Sequence, residues 1–162
     1  MARTGYRVVL GGVAVAALAA GALRPVTVLE LTNTSRGRTV RLPAAAGQAF
    51  SVTFQHSMYD QPFTEEYAVR GDGRIALQAV SSQSAAVLEY LGIVAAGERH
   101  AAERVMSEIV VRVAAGAPQT LRVGGAEHSF LEFGDHGDRL VLRAVRRPAA
   151  ARFLAGLAGA AP

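Results

Sequence analysis

The chain contains no cysteine and no lysine. Without cysteine it can have no disulfide framework, no thiolate metal site, no cysteine nucleophile and no lipidated N-terminal cysteine. All 17 basic residues are therefore Arg, and the longest run of them is the pair Arg146-Arg147. The net charge of +4 is spread along the chain, and no aromatic residues interleave with a basic stripe. This distribution gives little support to a nucleic-acid-binding surface.

Motifs of common enzyme and metal sites are also missing. The sequence has no Gly-rich loop for phosphate, no H-x-H or H-E-x-x-H spacing for a metal, and no nucleophile elbow around Ser57. Residues 135–138, Asp-His-Gly-Asp, carry ligand-type side chains, but turns use Asp and Gly for backbone reasons alone. We therefore predict no catalytic residue, no metal ligand and no cofactor.

A basic and then apolar segment opens the chain. Residues 1–7 include two Arg, and residues 8–23 carry no charge. As a helix the uncharged part spans roughly 24 Å, which is short of a ~30 Å bilayer core but suits an export signal. We predict that residues 1–24 are a signal peptide or membrane anchor, so that the remainder lies in the periplasm or cell envelope. The alternative is a cytosolic protein with a buried Ala-rich helix.

Short strands joined by turns dominate residues 25–147. Apolar and polar residues alternate, and Gly-containing turns at residues 35–37, 71–73 and 124–125 separate the runs. The pattern predicts an all-β domain, a mostly antiparallel sandwich or barrel of about eight or nine strands after an N-terminal hydrophobic helix. Residues 81–92 suit one short helical excursion, and residues 95–107 a polar surface connection. The Ala/Gly-rich tail, residues 148–162, is assigned no role.

The central hairpin, residues 50–69, combines polar and apolar side chains on one face. Its apolar members are Phe50, Val52, Phe54, Phe63, Tyr67 and Val69, and His56 and Glu65 fall in step with them. We predict that His56 lies opposite Glu65, with Phe54 opposite Tyr67, Val52 opposite Val69 and residues 59–62 as the loop. In the next turn, a three-residue connection keeps Ile75 on the face of Val69 instead of opposite Arg70.

An imidazole facing a carboxylate in an apolar wall has two natural roles. The carboxylate can fix a tautomer for ligand binding or proton transfer, or the two groups can simply satisfy each other as a structural hydrogen bond. A Ser–His–acid site that uses Ser57 is disfavoured because adjacent strand residues point to opposite faces.

The same segment resembles the signature of the domain of unknown function 1850 family. The matching positions are His56-Ser57, Pro62, Glu65 and Tyr67, and residues 121–125 match a C-terminal Leu-x-Val-Gly-Gly hairpin. Family members carry a Gly-rich segment where this chain has Ser-Ala-Ala at residues 84–86. The resemblance implies an envelope protein often encoded beside tripartite ATP-independent transporters of the TAXI type. It implies no established activity.

These observations lead to one expected function and two alternatives. We expect an exported or membrane-tethered β domain that is an accessory or binding module of an envelope solute-transport system. Its expected partners are TAXI-type transporter components, a small anionic ligand and, through the N-terminal segment, the membrane. The candidate binding residues are His56, Ser57, Glu65 and Tyr67. The alternatives are a small hydrolase-like enzyme with a His/Glu acid–base pair and a purely structural interaction domain.

Overall fold

The computed structural model describes residues 24–94 and 98–149. They form ten strands, one short α-helix and one 3₁₀ turn. The strands are β1 Pro25–Asn33, β2 Arg38–Pro43, β3 Ala49–His56, β4 Gln61–Val69, β5 Ile75–Ser81, β6 Arg99–Met106, β7 Ile109–Arg112, β8 Thr120–Val123, β9 Ala126–Ser129 and β10 Arg139–Pro148. The helix α1 is Ala85–Tyr90, and the 3₁₀ turn is Phe130–Glu132.

The strands form two antiparallel sheets, which confirms the predicted all-β, sandwich-like fold. The four-stranded sheet has the order β2-β1-β10-β7, and the six-stranded sheet has the order β6-β5-β4-β3-β8-β9. One hydrophobic core takes side chains from both sheets, because alternate residues of each strand point inward. Its fully buried members include Leu29 and Leu140 of the smaller sheet and Val52 and Leu121 of the larger one.

The predicted surface connection at residues 95–107 is wrong for most of its length. Arg99–Met106 forms β6, which pairs with β5 at the edge of the six-stranded sheet. An edge strand has one neighbour and one solvated side, so it tolerates the charged residues that make this segment look like a loop. The sequence after the Gly124-Gly125 turn also predicts a strand over residues 127–133. In the structure β9 ends at Ser129, because Phe130 starts a 3₁₀ turn and is buried there.

The predicted register of the central hairpin is wrong. Its four-residue turn is residues 57–60, so that His56 pairs with Gln61, Phe54 with Phe63 and Val52 with Glu65. The difference of four residues is even, and therefore the same side chains face inward in both registers. The turn is closed by a hydrogen bond from the Asp60 backbone N–H to the His56 carbonyl (2.8 Å).

The other turns agree with the sequence pattern. Val69 pairs with Ile75, and the Arg70 backbone N–H donates to the Arg74 carbonyl, which confirms the three-residue connection. The Gly124-Gly125 turn joins β8 to β9, and both glycines have the positive φ that such a two-residue turn requires. The short helix predicted within residues 81–92 is α1.

Backbone contacts divide the chain into two compact units. One is Thr27–Val145, which holds the core of both sheets. The other comprises Met1–Val26 and Arg146–Pro162, of which residues 24–26 and 146–149 are described. Residues 1–23 of the predicted signal peptide or anchor and residues 150–162 of the tail lie outside the described residues. Within residues 24–94 and 98–149, no helix is long and apolar enough to span a membrane.

Candidate functional site

His56 ends β3 and is 9% exposed. The Nδ1 atom of its ring accepts a hydrogen bond from the Met58 backbone N–H (3.3 Å), the ring's sole hydrogen bond within residues 24–94 and 98–149. An accepting Nδ1 carries no proton, so the neutral ring has its proton on Nε2. The turn after β3 therefore orients the imidazole through its own backbone.

Aromatic rings, and not a carboxylate, surround His56. Its ring centroid lies 4.7 Å from that of Tyr90 in an edge-on contact, 5.1 Å from that of Tyr59 and 6.2 Å from that of Phe63. Tyr59 and Tyr90 also contact each other, with centroids 6.3 Å apart. We call these four side chains the His56 cluster. Edge-to-face pairs of this kind add stability beyond the apolar area that they bury.

Helix α1 brings Tyr90 to this cluster. Ser84 caps the helix by accepting a hydrogen bond from the Val87 backbone N–H, and Val87 and Leu88 are buried. Gly92, with a φ of 78°, follows the last turn and ends the helix. The buried side of α1 thus fixes its position, and Tyr90, its last residue, reaches the ring of His56.

Glu65 bonds to Tyr67 instead of His56. Both side chains lie on the same face of β4, and the Tyr67 hydroxyl donates to Glu65 Oε2 at 2.6 Å. The pKa of the Tyr67 hydroxyl lies well above its ordinary value, mainly because the side chain is buried and further because of the hydrogen bond to Glu65. The phenol therefore stays protonated. The ring of Tyr67 stacks on Phe50, with centroids 5.2 Å apart.

The predicted acid–base pair is therefore not formed. The cross-strand partner of His56 is Gln61, and Glu65 lies four residues further along β4. At the usual rise of a strand, Gln61 and Glu65 are roughly 13 Å apart. Ser57, the first residue of the turn, is exposed. Of the four predicted binding residues, the structure brings Glu65 and Tyr67 together, and it places His56 and Ser57 at the end of the sheet.

The Asp side chains of the Asp-His-Gly-Asp turn bond to other residues of the protein. Asp138 Oδ2 accepts hydrogen bonds from Asn33 Nδ2 (2.8 Å), Arg36 Nε (2.7 Å) and the Asp135 backbone N–H (3.1 Å). Arg36 also forms an ion pair with Asp135. In the described part of the chain, no group of three or more His, Asp or Glu side chains could hold a metal ion. These ligand-type residues link two turns of the fold.

An apolar rim of exposed side chains borders the His56 cluster. We define the rim as Met58 and Tyr59 of the β3–β4 turn, Tyr90 and Leu91 at the end of α1, and Val94, which follows three residues later. Their exposure reaches 59% at Tyr90, 67% at Met58 and 89% at Val94. The remaining large exposed hydrophobic residues of the described part, Val105, Val110 and Leu131, belong to three other elements.

Sequence reasoning missed the contribution of Tyr59 and Tyr90 to this site. Tyr59 lies within the loop assigned to the hairpin, and Tyr90 lies within the short helix predicted over the end of the sheet. The signal available in the sequence is that each of these two segments carries a Tyr, a residue type that packs against other rings. The predicted register places Glu65 opposite His56, whereas the observed register places Glu65 opposite Val52 and leaves the aromatic rings as the neighbours of His56.

Comparisons of the chain with protein-family models, with curated proteins and with solved structures give no match. The function must therefore be argued from the site itself. Its two properties are a buried imidazole enclosed by aromatic rings and the exposed apolar rim beside it.

Proposed function

We propose that this protein is an extracytoplasmic binding module that serves a solute-transport system of the cell envelope. The His56 cluster and its apolar rim are its contact surface. The observation that carries the proposal is the exposure of Met58, Tyr90 and Val94 next to a packed aromatic cluster. Large apolar side chains gathered on one exposed surface mark interaction sites more often than isolated ones do.

The arrangement supports binding better than catalysis. His56 has no carboxylate opposite it, and its Nδ1 is used by the backbone of the following turn. A general base needs a free nitrogen within reach of a substrate proton and usually a group that orients the ring. Here the Met58 backbone N–H and the neighbouring aromatic rings together orient the imidazole, which suits a rigid support for the exposed Tyr59 and Tyr90.

The envelope location rests on the resemblance and on the N-terminal pattern, and a reporter fusion tests it. A reporter active only outside the cytoplasm is fused to the full chain and to the chain without residues 1–24. We expect activity from the first fusion and none from the second, because residues 1–24 supply the export signal. Equal activity of the two fusions contradicts the proposed location.

Transport in cells of the source organism tests the binding role. Deleting the protein should lower the uptake of organic acids, which are the solutes that the resemblance implies for TAXI-type transporters, and the full chain should restore it. Tyr90→Ala should fail to restore uptake because it removes an exposed ring that contacts both His56 and Tyr59. The matched control is Leu131→Ala, which truncates a side chain that is also exposed but lies on the 3₁₀ turn. Unchanged uptake after the deletion would contradict the proposed role in transport.

A further inference from the structure

Some carboxylate side chains of this protein form ion pairs with basic side chains and others do not. All 13 Asp and Glu residues lie in the described part of the chain, and most of them form ion pairs. Those without an ion pair among the described residues are Asp60, Glu65, Glu89, Glu98 and Glu103. In a chain with 17 Arg residues, eight of the 13 carboxylates are thus paired within the described part and five are not.

Two of the unpaired carboxylates belong to residues that adjoin the exposed rings of the rim. Asp60 follows Tyr59 in the β3–β4 turn, where its Oδ1 accepts a hydrogen bond from Gln55 Nε2 (2.9 Å). Glu89 precedes Tyr90 in α1 and is exposed, and its carboxylate has no hydrogen-bond partner within residues 24–94 and 98–149. The Glu98 carbonyl accepts from the Ser82 backbone N–H, which anchors a third carboxylate-bearing residue near this end of the six-stranded sheet. Each of the two exposed rings of the rim, Tyr59 and Tyr90, thus has beside it in the chain a carboxylate without an ion pair among the described residues.

Carboxylates beside exposed aromatic rings favour positive charge in a partner. The faces of Tyr59 and Tyr90 attract a guanidinium or ammonium group, and Asp60 and Glu89 add Coulomb attraction. Met58, Leu91 and Val94 meanwhile offer an aliphatic surface that water solvates poorly. A partner that uses both properties must present apolar and basic groups side by side.

We propose that the apolar rim binds a basic, apolar polypeptide segment of a partner protein. This inference rests on the proposed function, because it assigns the chemistry of the partner that the module contacts. The rim extends over two separate elements and is largely solvated, so it suits a polypeptide better than a small cation that needs enclosure. Bilayers with anionic headgroups are disfavoured, because the rim carboxylates repel them.

Peptide binding to the full chain tests the proposal. The probe is a short peptide of Leu, Arg and one Trp, and its partner probe has every Arg replaced by Glu. The protein contains no Trp, so Trp fluorescence reports on the peptide alone. We expect the Arg peptide to bind, its affinity to fall as salt rises, and the Glu peptide to bind at least about tenfold more weakly.

Variants locate the binding surface. Tyr90→Ala should weaken binding of the Arg peptide about tenfold, and Glu89→Gln a few-fold, because they remove a ring and a charge at the rim. The controls are Leu131→Ala and Glu103→Gln, which change an exposed apolar residue and an unpaired carboxylate elsewhere. Thermal unfolding of each variant shows that the fold is retained.

Three results would overturn the proposal. These are equal binding of the Arg and Glu peptides, equal effects of the rim and control variants, and binding to anionic vesicles that Tyr90→Ala abolishes. Failure here is separable from failure of the proposed function. A chain that is exported and required for uptake, but shows no preference for the Arg peptide, retains the function and loses the partner assignment.

Discussion

At the scale of single residues, the Tyr67 hydroxyl is a buried donor that has one charged acceptor, Glu65. Tyr67→Phe keeps the ring stacked on Phe50 and removes only this hydrogen bond. We expect the free energy of unfolding to fall by about 1–2 kcal/mol, because a hydrogen bond to a charged group is stronger than a neutral one and water can partly replace it at the half-buried Glu65. Urea denaturation measures the change.

Tyr59→Phe is the matched control for that measurement. It removes the same hydroxyl from a side chain that is exposed and makes no hydrogen bond within the described residues. Its free energy of unfolding should change by less than about 0.5 kcal/mol. If the two variants cost the same, the Tyr67 hydroxyl contributes nothing specific, and the bond to Glu65 is energetically irrelevant.

At the scale of secondary-structure elements, the β3–β4 register can be tested by cross-linking, because the chain has no cysteine to interfere. Thr53 and Thr64 are directly opposite, with their Oγ1 atoms 2.9 Å apart. The double variant Thr53→Cys with Thr64→Cys should form a disulfide on mild oxidation, since opposite residues of antiparallel strands lie within its Cα range. Mass spectrometry under non-reducing conditions detects the bond.

The contrasting variant pairs Thr53→Cys with Ala68→Cys. The register expected from the sequence places these two residues opposite each other, whereas here Ala68 pairs with Ala49. They are then about four residues apart along the sheet, too far for a disulfide. Rapid cross-linking of this pair, with none between positions 53 and 64, would contradict the observed register.

The same hairpin shows how far sequence reasoning reaches. The inward direction of His56 and Glu65 could be predicted, because a period of two fixes the face of each side chain. Their pairing could not, because registers that differ by an even number of residues bury the same faces. The observed register forms the stacked pairs Phe50–Tyr67 and Phe54–Phe63, and those contacts depend on the length of the turn.

Edge strand β6 shows a second limit of prediction. A central strand has a neighbour on each side and packs one of its faces against the core. Apolar and polar residues therefore alternate clearly along it, as they do in β3. In β6, an irregularity of the pairing between Leu77 and Ala79 of β5 interrupts the alternation, and charged side chains occupy solvated positions. Its strand conformation is a consequence of the free edge of β5, which local sequence does not report.

At the scale of the whole described β unit, one polar cluster joins segments that are far apart in sequence. Asn33 is 2% exposed, and its amide donates to Asp138 Oδ2 and to the Phe133 carbonyl while its Oδ1 accepts from the Ser35 and Arg36 backbone N–H groups. The cluster thereby ties the β1–β2 turn of one sheet to the segment that arrives from β9 of the other. Its stability should depend on the charge of Asp138.

The pKa of the Asp138 carboxyl lies below its ordinary value, first because Asn33 donates to it and further because of the Asp135 backbone N–H and Arg36. A carboxyl whose pKa is lower in the folded protein stabilises the fold at pH values above its unfolded pKa of about 3.9. That contribution is lost as the pH falls through the folded pKa. Asp138→Asn, which cannot carry the charge, should therefore lower the melting temperature clearly at about pH 7 and much less at about pH 2.

Thermal unfolding of the wild type and of Asp138→Asn across this pH range measures the difference directly, because all other titrating groups are shared and largely cancel. Asp60→Asn is the control, since Asp60 has no ion pair among the described residues and Asn also tolerates its positive φ. Its effect on the melting temperature should be small and similar at both ends of the range. A deficit of Asp138→Asn that stays constant down to about pH 2 would mean that the shape of the side chain, and not its charge, holds the two turns together.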